Sequence, residues 1–144
     1  MILTVAAALV PFAVACGGEA AGGGPAAARP PVTGVDWKVD SVTADGTTHH
    51  APATARLRVD EDGGAAGNLG CNHFSARATV HGDRITFGAL RTTKMACDRA
   101  RMAFERALAR TLDGRTLTIA AGDGGLTLTA GRDDLVRLTR GAPG

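Results

Sequence analysis

Ala55-Arg56-Leu57-Arg58-Val59-Asp60, followed by Glu61-Asp62-Gly63-Gly64, is the stretch from which the fold reads most directly. Ala55, Leu57 and Val59 alternate with Arg56, Arg58 and Asp60. Successive side chains of a strand point to opposite faces, so this segment has one apolar and one charged face. Such alternation marks a sheet with one solvated side, which is the antiparallel case. Asp62-Gly63-Gly64 then turns the chain. Toward the amino terminus, Val35, Trp37, Val39 and Ser41 recur at period two, and Asp45-Gly46 ends that strand in a turn. Toward the carboxyl terminus, 75–80 and 84–87 form a hairpin about Gly82-Asp83, with Ala78, Val80, Ile85 and Phe87 as its apolar set. Strands over 116–120, 126–129 and 135–139 follow, the first two joined by Asp123-Gly124-Gly125.

One segment changes the period. From Asp98 to Leu112, the residues Ala100, Phe104, Ala107, Leu108, Thr111 and Leu112 make a single helical stripe, with Asp98 as N-cap and Gly114 as stop. Arg99, Arg101, Glu105, Arg106 and Arg110 fall largely away from it. Strands, one helix, then strands predict an α+β domain: a curled, partly barrel-like antiparallel β-sheet with one amphipathic helix at about 98–112. The chain has one Trp, four Phe and no Tyr, so Leu, Val, Ile and Ala must fill the core.

Ahead of this domain, residues 1–15 (MILTVAAALVPFAVA) carry no charge and are too few to span a bilayer comfortably, which suits a signal peptide. Ala13-Val14-Ala15-Cys16 resembles a lipobox, which makes Cys16 the expected site of lipidation; the alternatives are a buried amino-terminal strand or an ordinary secretory signal. Residues 16–34, dominated by Gly, Ala and Pro, read as a flexible tether behind that anchor. The expected organisation is signal peptide 1–15, anchor and tether 16–34, folded domain 35–140 and a disordered tail 141–144. The expected address is the bacterial cell envelope, outside the cytoplasm, with the membrane as partner through the lipid.

With Cys16 given to lipid, Cys71 and Cys97 remain, on either side of the 75–87 hairpin. Exported proteins keep disulfides, so an internal bridge is expected; two reduced buried thiols are the alternative. Closing such a loop stabilises a fold by roughly 3–4 kcal/mol on the chain-entropy argument. Around Cys71, in Gly67-Asn68-Leu69-Gly70-Cys71-Asn72-His73-Phe74, the glycines permit a close backbone approach or an unusual backbone angle. Asn72 is expected to bond local backbone at a turn or bulge, and Phe74 to enter the core. In Thr92-Thr93-Lys94-Met95-Ala96-Cys97, the threonines can satisfy backbone groups where the chain leaves the sheet, and Met95 is expected to pack beneath the helix.

Gly70-Cys71-Asn72-x-Phe74, followed by Thr92-Thr93-x-Met95-Ala96-Cys97 and an amphipathic helix, resembles the META-domain family. Trp37 near the domain start and a last strand ending Val136-Arg137-Leu138 extend the resemblance. Bacterial members include the HslJ-type heat-shock lipoproteins. The resemblance implies a compact antiparallel β fold with one helix, an envelope location, a cysteine pair that often forms a disulfide, and links to stress response, motility and virulence. It carries over no catalytic residue.

Sharper chemistry finds little support. A net charge of +2, with no Lys/Arg cluster interleaved with aromatics, argues against nucleic acid. Cys71 and His73 would share a strand face, and His49, His50 and His81 are further ligand types. Zinc asks for three or four ligands, and His49-His50 reads as a solvated loop, so neither metal nor other cofactor is expected. No G-x-S-x-G occurs, and the side chains of Asp133-Asp134 point apart on a strand. Asp60-Glu61-Asp62 lacks the ligand ladder of a calcium loop, and Gly122-x-Gly124-Gly125 precedes a strand rather than a helix. The expected protein is non-enzymatic: an anchored envelope domain that binds an envelope protein or other component, or supports stress tolerance. The alternative is a carrier or sensor with a small apolar ligand inside the curled sheet.

Overall fold

A computed structural model describes residues 32–122 and 124–141. The expected signal peptide, Cys16 and the expected tether through residue 31 lie outside the described residues, as do residues 123 and 142–144. The elements run β1 (Asp36–Ala44), β2 (Thr47–His50), β3 (Arg56–Val59), β4 (Gly64–Asn68), β5 (His73–His81), β6 (Arg84–Phe87), β7 (Arg91–Thr92), α1 (Arg99–Leu112), β8 (Thr116–Gly122), β9 (Gly125–Ala130) and β10 (Asp134–Arg140).

The antiparallel sheet closes on itself. Its ring runs β1–β3–β4–β5–β6–β8–β9–β10 and returns to β1, where Val39 faces Leu138 and Val42 faces Val136. The expected curled sheet is thus a complete eight-stranded barrel, with the edges of an open sheet removed. Two short strands lie off the ring. β2 continues along the edge of β1 beyond β3, and β7 returns to the edge of β5 beside β6.

Alternation holds around most of the ring. Leu57 and Val59 of β3, Ile85 and Phe87 of β6, Leu117 and Ile119 of β8, and Leu126 and Leu128 of β9 are buried, while their neighbours face out. The barrel interior and the inner face of α1 form one apolar cluster. Trp37 is buried in it and donates its indole N–H to the Val32 carbonyl at 2.9 Å. Gly34 N–H bonds Val59 O at 2.8 Å, so the domain's contacts begin ahead of residue 35. At the far end, Gly141 N–H bonds Asp36 O at 2.7 Å and is part of the fold.

Three expectations are corrected here, and one strand is added. In β1 the period-two set breaks after Val39, because the register against β10 shifts between Val39 and Ser41. Such a bulge inserts one residue, and the inward phase passes to Val42 and Ala44. His49-His50 is strand rather than loop, paired with Val42 and Ser41 behind the Asp45-Gly46 turn, whose two residues have φ 52° and 77° as a two-residue hairpin requires. Val80 keeps the inward phase of β5 but is 38% exposed near the end of its strand. The glycine-rich stretch before Cys71 is strand β4, which low side-chain content had hidden.

Helix α1 begins at its expected cap, Asp98, whose carboxylate accepts the Arg101 N–H at 3.2 Å. It packs against β1, β2 and β10 through Phe104, Ala107, Leu108, Thr111 and Leu112. Ala100, at the margin of the stripe, is exposed. Glu105 departs from expectation most: it is buried, and only 7% of it reaches solvent.

Candidate functional site

The motif residues meet where the end of β4, the start of β5, β7 and α1 come together. Gly67 is required by proximity. A Cβ there would overlap the Arg56 carbonyl of β3 and lie 2.9 Å from the Phe74 ring. Phe74 is buried in the core, as expected. Gly70 is required by both angle and space: its φ is +118°, and a Cβ would sit 3.1 Å from Phe104 and 3.2 Å from Pro52. The Gly70 carbonyl accepts from the Thr54 hydroxyl at 2.8 Å. The local turn bond expected of Asn72 belongs instead to Asn68, whose side-chain oxygen accepts the Gly70 N–H at 2.7 Å.

Cys71 and Cys97 form a disulfide, with Cα atoms 6.0 Å apart across 26 positions of sequence. It ties the residue before α1's cap to the turn before β5. Asn72, 3% exposed, is the centre of the corner. Its carbonyl oxygen accepts the Met95 N–H at 2.6 Å and the Thr93 hydroxyl at 2.9 Å. Its amide nitrogen donates to Met95 O at 3.1 Å and to Glu105 Oε2 at 2.6 Å. A side-chain amide has two donors and two acceptor positions, and all four are used. Thr93 Oγ1 also accepts the His73 N–H at 3.1 Å, and Thr92 pairs with Phe74. Thr93 thus satisfies a backbone group and a buried polar one, as expected, whereas Thr92 takes part through strand pairing of its backbone.

Glu105 completes the network. Its Oε1 accepts the Asn72 N–H at 2.6 Å and the Cys71 N–H at 3.3 Å. One buried carboxylate therefore serves three donors from the chain around Cys71. The helix is held against this turn by directed, charge-assisted bonds as well as by apolar packing. The sequence reading missed this residue by assigning it to the solvent face. The available signal was its spacing: Glu105, Leu108 and Leu112 lie at i, i+3 and i+7, on the flank of the buried stripe.

Met95 is a further correction at this corner. It is 51% exposed and does not pack beneath the helix. Its backbone, rather than its side chain, carries its role, since Asn72 binds both its N–H and its C=O. Ala96 is exposed beside it. Trp37 stands apart from the corner, with the Arg140 guanidinium 5.8 Å from its ring centroid.

The remaining chemical candidates are dispersed. Among the described residues no group of three or more His, Cys, Asp or Glu side chains could hold a metal ion. His73 is exposed, and Cys71 is in the disulfide. Of the Asp133-Asp134 pair, Asp134 binds Arg115 at 3.1 Å and accepts the Asp45 N–H at 3.3 Å. The Asp60–Gly64 segment is a closed turn in which the Asp62 carboxylate accepts the Gly64 N–H at 3.0 Å.

The family model for the META domain matches residues 30–142, which spans the disulfide corner and the whole ring. This chain belongs to the META-domain family. Two solved structures share the fold. The META domain here matches the NMR structure of a protein from Burkholderia xenovorans at 21% identity and a TM-score of 0.62, covering 80% of this chain and 93% of that one. A second NMR structure matches at 17% identity and a TM-score of 0.57, covering 74% of this chain and 89% of the other. No curated protein matches the chain.

Proposed function

We propose that this META domain is held at the outer side of a bacterial membrane by lipid on Cys16, as an HslJ-type lipoprotein. There it acts by binding an envelope component, in support of stress tolerance, rather than by catalysis. The observation that carries the non-catalytic reading is the state of its most elaborate buried polar group. Asn72 and Glu105 spend their hydrogen bonds on the backbone of residues 71, 72 and 95, on the Thr93 hydroxyl and on each other. A catalytic carboxylate needs a free oxygen facing substrate, and this one faces three protein donors. The anchored reading is supported by the lipobox-like Ala13-Val14-Ala15-Cys16 and the Gly/Ala/Pro tether behind it, together with a disulfide that suits an oxidising compartment.

Binding at the outer surface is favoured over a ligand within the barrel. An eight-stranded barrel has room for its own side chains or one small ligand. Here Trp37, Phe87, Ile85, Leu117, Leu128 and Leu138 occupy the interior, so a ligand would have to displace them.

The test is fractionation of bacteria expressing the full chain. The expected result is a detergent-phase protein whose amino-terminal peptide carries a diacylglyceryl mass increment at Cys16, with Cys16→Ala moving it to the aqueous phase. An aqueous, unmodified wild-type protein would overturn the anchored reading. Copurification of an apolar ligand in stoichiometric amount would favour the carrier reading instead.

A further inference from the structure

The barrel wall is interrupted beside β5. β6 leaves the edge of β5 at Ala78, and β7 takes up that edge again at Ser75. Between them the chain crosses at 88–90, where Gly88 N–H bonds Arg77 O at 2.8 Å. This break makes a surface groove of about 520 Å³ lined by Ser75, Ala76, Arg77, Gly88, Ala89 and Arg91. It runs into a second groove of about 310 Å³, which shares Ser75 and Arg91 and adds His73. No carboxylate lines either one.

Unpaired arginines are common in this domain, and what sets Arg77 and Arg91 apart is that both line one groove with no carboxylate, whereas four others are held by acidic partners. Arg58 binds Asp36 and Asp60, Arg101 binds Asp98, Arg110 binds Asp45 and Arg115 binds Asp134. Among the described residues, neither Arg77 nor Arg91 meets a carboxylate within ion-pair distance, and both are exposed. Arg77 faces Gly64 across the sheet, but the nearby Asp62 turns its carboxylate to the Gly64 N–H. Two uncompensated cations on one groove of small residues favour an anion between them.

We propose that this groove binds a phosphate-bearing ligand, with Arg77 and Arg91 as its recognition residues and the Ser75 hydroxyl as a further donor. A carboxylate is satisfied by one bidentate guanidinium, whereas a phosphate group offers additional oxygens to a second arginine and a hydroxyl. The small residues Ala76, Gly88 and Ala89 leave room for that approach. The inference names a ligand class for the binding role proposed above and does not depend on the anchor.

The test uses the full chain carrying Cys16→Ser, so that any binding is independent of lipidation. Titration with inorganic phosphate should give saturable NMR shifts at the backbone amides of Ser75, Arg77, Gly88 and Arg91. The double variant Arg77→Gln/Arg91→Gln should bind at least about tenfold more weakly, since each lost charged hydrogen bond is worth at least that factor. Arg137→Gln, on the exposed face of β10, should bind as the parent does. Pelleting with phosphatidylglycerol vesicles, but not phosphatidylcholine vesicles, and only with Arg77 and Arg91 intact, assigns the phosphate to a lipid headgroup. Phosphate shifts without pelleting assign it to a soluble ligand. The proposal is overturned if neither probe responds, or if Arg137→Gln weakens binding as much as the groove variant, which would mean general charge attraction. An unlipidated Cys16 in the wild type would remove the anchored reading and leave this one standing.

Discussion

In the β8–β9–β10 meander, Leu117, Ile119, Leu126, Leu128, Val136 and Leu138 are buried, and the residues between them are mainly threonine and arginine on the outside. At the corner of β4, β5, β7 and α1, Gly67, Gly70, Asn72, Glu105 and a disulfide hold the chain through close approach and directed bonds. The meander rests on non-directional apolar burial, which tolerates any side chain of suitable size. The corner rests on groups with fixed partners, each of which leaves a buried donor or a clash when changed. The two regions should therefore respond oppositely to conservative substitutions.

The largest expected effect is Glu105→Ala, which strands the N–H groups of Cys71 and Asn72 and the Asn72 amide. Urea unfolding should show a loss of about 4 kcal/mol, from several unsatisfied buried donors. A loss below about 1 kcal/mol would show that water replaces the carboxylate and that the corner is not pinned by it. Next comes removal of the disulfide by Cys71→Ala/Cys97→Ala, expected to cost roughly 3 kcal/mol. Gly67→Ala should cost about 2–3 kcal/mol, because the added methyl meets the Arg56 carbonyl and β3 and β4 must separate. In the meander, Leu128→Met removes nothing but shape and should cost only about 1 kcal/mol. If it matched Gly67→Ala, the meander would be as exacting as the corner and the contrast would fail. Thr129→Ala, on the outer side of β9, should change stability by no more than about 0.5 kcal/mol.

The same contrast explains what the sequence made readable. Alternation in 56–59, 84–87, 116–119 and 126–129 follows from a strand having one wet face, so those strands and their turns could be placed from residues alone. The helix and its cap were readable for the same reason, since Asp98 precedes a stripe at helical period. β4 was not, because Gly64-Ala65-Ala66-Gly67-Asn68 has too little side chain to display a period. The phase change in β1 was hidden as well, for a bulge is a matter of register against β10 rather than of composition. At the corner, Cys71, Asn72, Phe74, Thr93 and Cys97 were singled out by motif, and the two cysteines as a pair, but the partners of Asn72 and Thr93 were not. Glu105 looked like one more charged helix residue, and Met95 like one more core residue.

By itself the sequence determined that this chain forms an antiparallel sheet with one covering helix, and that Cys71 and Cys97 belong to the same structural unit. Those facts follow from local periodicity and from a compact motif, both carried by neighbouring residues. Tertiary structure alone decided that the sheet closes through β1 and β10, that Asn72 binds residues 93, 95 and 105 rather than its own turn, and that two arginines are left without carboxylates beside a break in the wall. Each of these depends on residues distant in sequence meeting in space. Their energy comes from distance and direction between groups, quantities that a linear pattern does not contain.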